Sequence, residues 1–252
     1  MKERLSKILG LVLFVFLIVT MISLSFKSSG TDEKSNFSGI EITGNKLLSA
    51  DDYLGFTGFD DSTSLQDITL PLIKVRFEKH PYIIKADVEF DGEKKILVEL
   101  KERNFMAVVF ENQKFSLLTD NYEKVPVFNN TEFYELPIIT NLKAVRKNQD
   151  AVPEHNKDLV QALKIIDALK FCDEEMYSRL AEINLHKGGD VILTFTDLGY
   201  PVIFGRGNEA AKVLALKAVW NEIKSSNNIY SNLEYLDLRF SEQILIGKKE
   251  KT

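Results

Sequence analysis

The sequence predicts an α+β protein with one N-terminal transmembrane helix, two exported units and a C-terminal edge strand. Three observations support this fold class. Residues 8–26 contain no charge, residues 37–103 show a β-α-α-β-β pattern, and residues 232–249 alternate between apolar and polar side chains after a strand-rich region with two amphipathic helices. Separate runs of strands and helices, without a regular β-α repeat, are typical of α+β proteins.

The apolar run at 8–26 is long enough to cross a membrane as a single helix. Its nineteen residues, at about 1.5 Å each, match the thickness of a bilayer core. Lys2, Arg4 and Lys7 precede it, so the positive-inside rule places residues 1–7 in the cytoplasm and the rest outside. A cleaved signal peptide is the alternative, but its apolar region is usually shorter. We therefore predict an uncleaved single-pass anchor.

Composition limits the classes of partner. The formal net charge of −5 argues against nucleic acid or an acidic lipid surface. The single cysteine, Cys172, permits no internal disulfide, and export without disulfides fits a bacterial envelope. Beyond the anchor and a polar linker at 27–36, the chain is long enough for one or two domains.

The first exported unit spans residues 37–103. After a short strand, Ser49 opens a helix as its N-cap, and Gly55 is expected to end that helix. A second helix is predicted over 68–79, and a hairpin follows. The hairpin is expected to pair three apolar residues of each strand: Ala86, Val88 and Phe90 with Ile96, Val98 and Leu100.

The second exported unit spans residues 104–247 and is rich in strands. Short strands precede an amphipathic helix predicted at 156–171, and a meander of three strands follows it. A second amphipathic helix is predicted to begin at Asn208. Residues 236–246 are then expected to form one closing strand, before a charged tail at 248–252.

No pattern in the sequence indicates catalysis or metal binding. His80, His155 and His186 have no partner at helical spacing and belong to no Cys/His cluster. The stretch FGRGNEA at 204–210 lacks the third glycine of a dinucleotide fingerprint and the lysine of a P-loop, so we interpret it as a turn and a helix cap. We expect no cofactor, no metal, no small-molecule substrate and no enzymatic activity.

The order of these parts resembles the FtsQ/DivIB family of bacterial division proteins. The segments at 40–52 and 80–90 are similar to the opening strand, capped helix and hairpin entry of the family's POTRA domain. Glu102 and Arg103 look like the exit from that domain, and YLDLRF at 235–240 resembles the closing strand of the following β domain. The resemblance implies a POTRA domain at 37–103 and a β domain at 104–247.

The resemblance also implies a function. Family members are non-enzymatic scaffolds of the divisome in the cytoplasmic (inner) membrane, with the C-terminus in the periplasm. They bind FtsB- and FtsL-like proteins during septation, and the POTRA domain meets other divisome proteins. The closing strand takes up a strand from FtsB, in agreement with the physics of an unpaired edge.

The closing strand therefore supplies the candidate partner-binding residues. These are Leu238, Arg239, Phe240, Ser241 and Glu242. Arg239 is expected to meet an acidic partner residue, and Phe240, which replaces a common tyrosine, an apolar one. Arg239→Glu is expected to leave the fold intact, because surface charges contribute little to stability.

Alternatives remain open at this point. In the first, Arg239 is simply a solvated charge on an edge strand. In the second, the chain is an anchored periplasmic enzyme of unknown class. A third alternative is a POTRA-type chaperone or assembly module of an outer-membrane barrel, which needs a longer series of alternating spans than the chain has after residue 104.

Overall fold

The computed structural model describes residues 14–21, 39–59, 68–132, 136–143, 156–225, 233–240 and 243–248. Residues 14–21 form helix α1, within the predicted anchor. The remainder of 8–26 and the linker at 27–36 lie outside the described residues. Among the residues described, no helix combines the length and the apolar character needed to cross a membrane.

The first unit after α1 is a small sheet covered by two helices. Its elements are β1 Gly39–Thr43, α2 Ala50–Thr57, α3 Leu70–Glu78, β2 Ile83–Phe90 and β3 Lys95–Glu102. The strand order is β1-β3-β2, with β1 parallel and β2 antiparallel to β3. The predicted hairpin register is confirmed, since three apolar pairs lie directly opposite each other: Ala86 and Leu100, Val88 and Val98, Phe90 and Ile96.

Helix α2 begins as predicted and ends later than predicted. Ser49 is its N-cap, but the prediction that Gly55 ends the helix is wrong. The helix stops at Gly58, whose φ of 71° lies in the left-handed region that favours glycine. Phe59, the next residue, is buried and donates its N–H to Leu54 O at 3.0 Å. The burial of Phe59 therefore places the end of the helix at Gly58 and not at Gly55.

The second unit is a large mixed sheet. Its strands are β4 Phe105–Glu111, β5 Lys114–Thr119, β6 Lys124–Pro126, β7 Ile138–Thr140, β8 Leu180–Asn184, β9 Ile192–Phe195, β10 Val202–Ile203, β11 Leu233–Asp237 and β12 Leu245–Lys248. Its helices are α4 Lys157–Cys172, α5 Glu174–Ser178 and α6 Glu209–Ser225. The nine strands follow the order β12-β11-β10-β9-β8-β7-β4-β5-β6. The helices predicted at 156–171 and after Asn208 are thus observed as α4 and α6.

Two hydrophobic cores meet at β4. Ala107 and Val109 belong to the core formed with α4 and α6, whereas Phe105 and Val108 pack with the small unit. Because β4 is buried on both faces, its sequence FMAVVF is a continuous apolar run without alternation. The large sheet therefore contacts the helical layer through one face and the small unit through the other.

Candidate partner-docking edge

An exposed strand, β12, closes the large sheet. It pairs antiparallel with β11 and stands last in the strand order, so among the described residues no strand pairs with its outer side. The side chains of Leu245 and Ile246 are 44% and 40% exposed. An edge of this kind offers backbone N–H and C=O groups to another strand. We refer to β12 as the docking edge.

Tyr235 ties the docking edge to β11. It lies opposite Gly247 in the ladder, and a Cβ atom built on Gly247 would be 2.6 Å from Cδ1 of the Tyr235 ring. No side chain fits at that distance, so the ring packs directly on the glycine backbone. Glycine at this position in an edge strand marks such a close approach.

The closing strand is shorter than predicted, and the expected continuous strand over 236–246 is wrong. β11 ends at Asp237, and Leu238, Arg239 and Phe240 lie in the connection to β12. Leu238 is buried and Phe240 is 52% exposed. Ser241 and Glu242, the remaining candidate residues, lie outside the described residues. The open edge therefore lies a few residues further along the chain than the sequence pattern indicates.

Arg239 explains why the strand ends. Its guanidinium donates to the Asp237 carboxylate, with Nη2 at 2.6 Å from Oδ2, and its backbone N–H donates to Asp237 Oδ1 at 3.0 Å. Nη1 lies 2.9 Å from Asp190 Oδ2. The two-residue step between Asp237 and Arg239 folds the chain back on itself, as Asx-type turns do. Arg239 is consequently paired with Asp237 and Asp190, although its side chain is 44% exposed.

The pair also changes what Arg239→Glu is expected to do. The Asp237 side chain is only 3% exposed, and its hydrogen bonds with Arg239 hold its pKa below the ordinary value. Removing the guanidinium leaves a buried carboxylate unpaired, which is strongly destabilising. The geometry therefore predicts that Arg239→Glu destabilises the fold, in place of the sequence-based expectation that the fold stays intact.

Beside the docking edge lies an apolar groove of about 330 Å³. Helix α6 forms one wall with small side chains, and the connection between β11 and β12 forms the other. The residues that matter here are Ala211, Ala215 and Ala218 on the helix, and Phe240 and Ile244 opposite them. Small residues on one wall leave room for a bulky apolar side chain from outside.

A buried lysine lies at the end of this groove. Lys212 is 8% exposed, and its Nζ donates to Phe204 O at 2.9 Å and to Arg206 O at 3.2 Å. Burial lowers its pKa below the ordinary value. Gly205 and Gly207 both have positive φ, and a Cβ on Gly205 would lie 2.8 Å from Arg239 Cγ. The glycines therefore form a turn that lets Arg239 approach, in agreement with our interpretation of this stretch.

The structure distributes the histidines over unrelated environments. His80 is buried among aromatic rings, His186 lies in a short 3-10 turn, and His155 is outside the described residues. Within the described ranges, no group of three or more His, Cys, Asp or Glu side chains is arranged to hold a metal ion.

Of the charged groups near the docking edge, Lys212 and Asp237 were missed by the sequence analysis, because each looks like a surface residue in its local pattern.

A comparison with protein families identifies the large unit. The model of the FtsQ/DivIB cell division protein C-terminal domain matches residues 107–239, just over half of the chain's 252 residues. The match begins in β4 and ends at Arg239, so it includes α4, α6 and β11 but not the docking edge. No curated protein matches the chain. On the extent of the family match, the chain belongs to the FtsQ/DivIB family of cell division proteins.

Proposed function

We propose that this chain is a divisome scaffold that recruits FtsB- and FtsL-like proteins to the inner membrane during septation. The family is a non-enzymatic, membrane-associated cell division family, which supports the scaffold role. The charge-free run at 8–26 supports an anchor with a cytoplasmic N-terminus. The β-α-α-β-β order and its 1-3-2 strand arrangement support a POTRA assignment for 37–103, a domain open to other divisome proteins.

The observation that carries the proposal is that, within the described part of the chain, no strand pairs with the outer side of β12. A partner strand would extend the large sheet there, with main-chain hydrogen bonds supplying affinity and alternate side chains supplying specificity. The groove beside α6 would take a bulky apolar side chain of that strand, against Phe240. This replaces the predicted strand at 236–246 with residues 245–248 as the pairing surface.

Arg239 has a different part in the proposal from the one first expected. Its Nη1 is held by Asp190, which is 47% exposed and at the surface. An acidic partner residue would therefore reach Arg239 by competing with Asp190. We assign to Arg239 mainly a structural role, in which it fixes the connection between β11 and β12 that exposes Phe240. Direct contact between Arg239 and a partner is secondary.

Two neighbouring proline substitutions test the edge mechanism. Successive N–H groups in a strand point to opposite sides, so of Leu245 and Ile246 one donates towards β11 and the other outwards. Proline removes the N–H at its own position. We expect both Leu245→Pro and Ile246→Pro to reduce co-purification of FtsB- and FtsL-like proteins at least tenfold, and one of them to do so without lowering the melting temperature.

The matched control is Asp197→Pro, in an exposed turn of the same sheet. It is expected to retain its partners. Full partner recovery with both β12 variants, confirmed as folded by circular dichroism, would eliminate pairing at this edge. Loss of binding with all three variants would mean that proline acts by disturbing the whole unit.

A further inference from the structure

Residues 126–132 leave the end of β6 and lie against the small unit; we refer to them as the clasp. Tyr82, at the start of the hairpin in the small unit, is fully buried, and its hydroxyl lies at the centre of the contact. The hydroxyl accepts from Phe128 N–H at 3.1 Å and lies 3.2 Å from Pro126 O and 2.9 Å from Thr131 Oγ1. Three groups of the clasp thus converge on one side chain of the other unit.

The far end of the clasp holds a second region of the small unit. Asn130 Nδ2 donates to Asp52 Oδ1 at 3.0 Å, on helix α2. The backbone N–H of Glu132 donates to Leu47 O at 2.8 Å, in the loop before that helix. These bonds are separated along the small unit from those of Tyr82, so the clasp is attached at more than one point.

Aromatic packing fills the space between the two sets of bonds. The ring centroid of Phe128 lies 4.8 Å from that of His80 and 5.3 Å from that of Tyr82. Phe56 of α2 lies 6.1 Å from the same ring, edge to face. Such contacts fix ring orientation in addition to burying area.

The covalent junction between the units lies on the other side of Tyr82. β3 ends at Glu102, and the Arg103 N–H donates to the Tyr82 carbonyl at 2.7 Å. The Arg103 guanidinium reaches Glu123, near β6, at 2.7 Å. The chain therefore crosses between the units at the junction, and the clasp returns to the small unit after β6.

We propose that the clasp locks the two units into one rigid body and that the Tyr82 hydroxyl and the Asn130 amide set their relative orientation. The apolar core that the small unit shares with β4 does not by itself fix the angle between the two units, because hydrophobic burial is non-directional. Hydrogen bonds at several separated points do, since each constrains both distance and direction. This inference stands whether or not the docking edge binds a partner strand.

Distance measurement between one spin label in each unit tests the clasp. In the full chain in detergent solution, Cys172→Ser removes the native thiol, and Glu93→Cys and Asp197→Cys place labels on exposed turns of the small and large units. We expect a single narrow distance distribution. Adding Tyr82→Phe and Asn130→Asp, which removes the hydroxyl and sets a carboxylate against Asp52, is expected to broaden it at least twofold.

Two further variants keep the test decisive. Ser178→Ala removes a hydroxyl whose bond to Glu175 O stays within the large unit, and it is expected to leave the distribution unchanged. Asn130→Asp alone changes an exposed side chain and is expected to broaden the distribution in a chain with an unchanged circular dichroism spectrum. A distribution as narrow as that of the parent in both clasp variants would overturn the proposal.

Discussion

At the scale of single residues, we expect His80 to make the stability of the fold depend on pH. It is 2% exposed, its Nδ1 accepts from Tyr82 N–H at 3.1 Å, and burial lowers its pKa to about 4. In the unfolded chain the ordinary value is about 6.5, so the unfolded chain takes up the proton first as the pH falls. We expect this residue to remove up to about 3 kcal/mol of unfolding free energy between pH 6.5 and 4, and nothing above pH 7. Urea denaturation across that range measures it.

Two histidine variants separate the contribution of His80 to the pH dependence of stability from that of the Asp and Glu side chains. His80→Asn keeps an acceptor for the Tyr82 N–H but does not titrate, so it should be less stable at pH 7 and lose less stability on acidification. His186→Asn, at an exposed turn, is the control for replacing a histidine by asparagine elsewhere in the chain. A wild-type slope in His80→Asn would show that other groups cause the pH dependence.

Asp237 shows why the docking edge was not located from the sequence. In the alternating segment 235–240, Asp237 and Arg239 occupy positions that a strand pattern assigns to the solvent face. The carboxylate is in fact buried and paired with the guanidinium two residues later. Periodicity reports only whether side chains are apolar, and a buried carboxylate whose hydrogen bonds turn the chain has no apolar signature.

At the scale of secondary-structure elements, patterns with one consistent periodicity were predictable. The β2–β3 hairpin follows from alternation on both strands. Of the predicted apolar stripe of α4, Leu159, Leu163, Ile166 and Leu169 are buried as a helical period requires, whereas Val160 is half-buried. Helix α5 was missed, because its five residues are too few to show a period. The end of α2 was misplaced because two glycines were available and tertiary packing chose between them.

The two glycines of α2 give a matched pair of substitutions with opposite signs. Gly55 lies within the helix with nothing within 4 Å of an added Cβ, so Gly55→Ala should stabilise the chain by about 1 kcal/mol. Gly58 has φ 71° and also has room, so Gly58→Ala should destabilise by about 1 kcal/mol through its backbone alone. Urea denaturation of both variants measures the difference, and equal signs would contradict the C-cap at Gly58.

At the scale of the whole molecule, the two ends of the large sheet are built differently. At one end, β6 is three residues long, contains Pro126 and carries Lys124, and all three features discourage pairing with another chain. At the other end, β12 presents exposed Leu245 and Ile246. The β6 edge is therefore protected by its own residues. The β12 edge is protected only when a partner covers it or by the charged tail at 248–252.

This asymmetry predicts self-association of the purified full chain through β12 when no partner strand is present. Ile246→Lys places a charge on the exposed strand, which disfavours edge-to-edge pairing. We expect the variant to raise the dimer dissociation constant at least tenfold in sedimentation experiments in detergent solution. Phe115→Lys is the control, since Phe115 is 50% exposed on a different strand of the same sheet. If Phe115→Lys weakens self-association as much as Ile246→Lys does, the association comes from general apolar exposure and the docking edge has no special part in it.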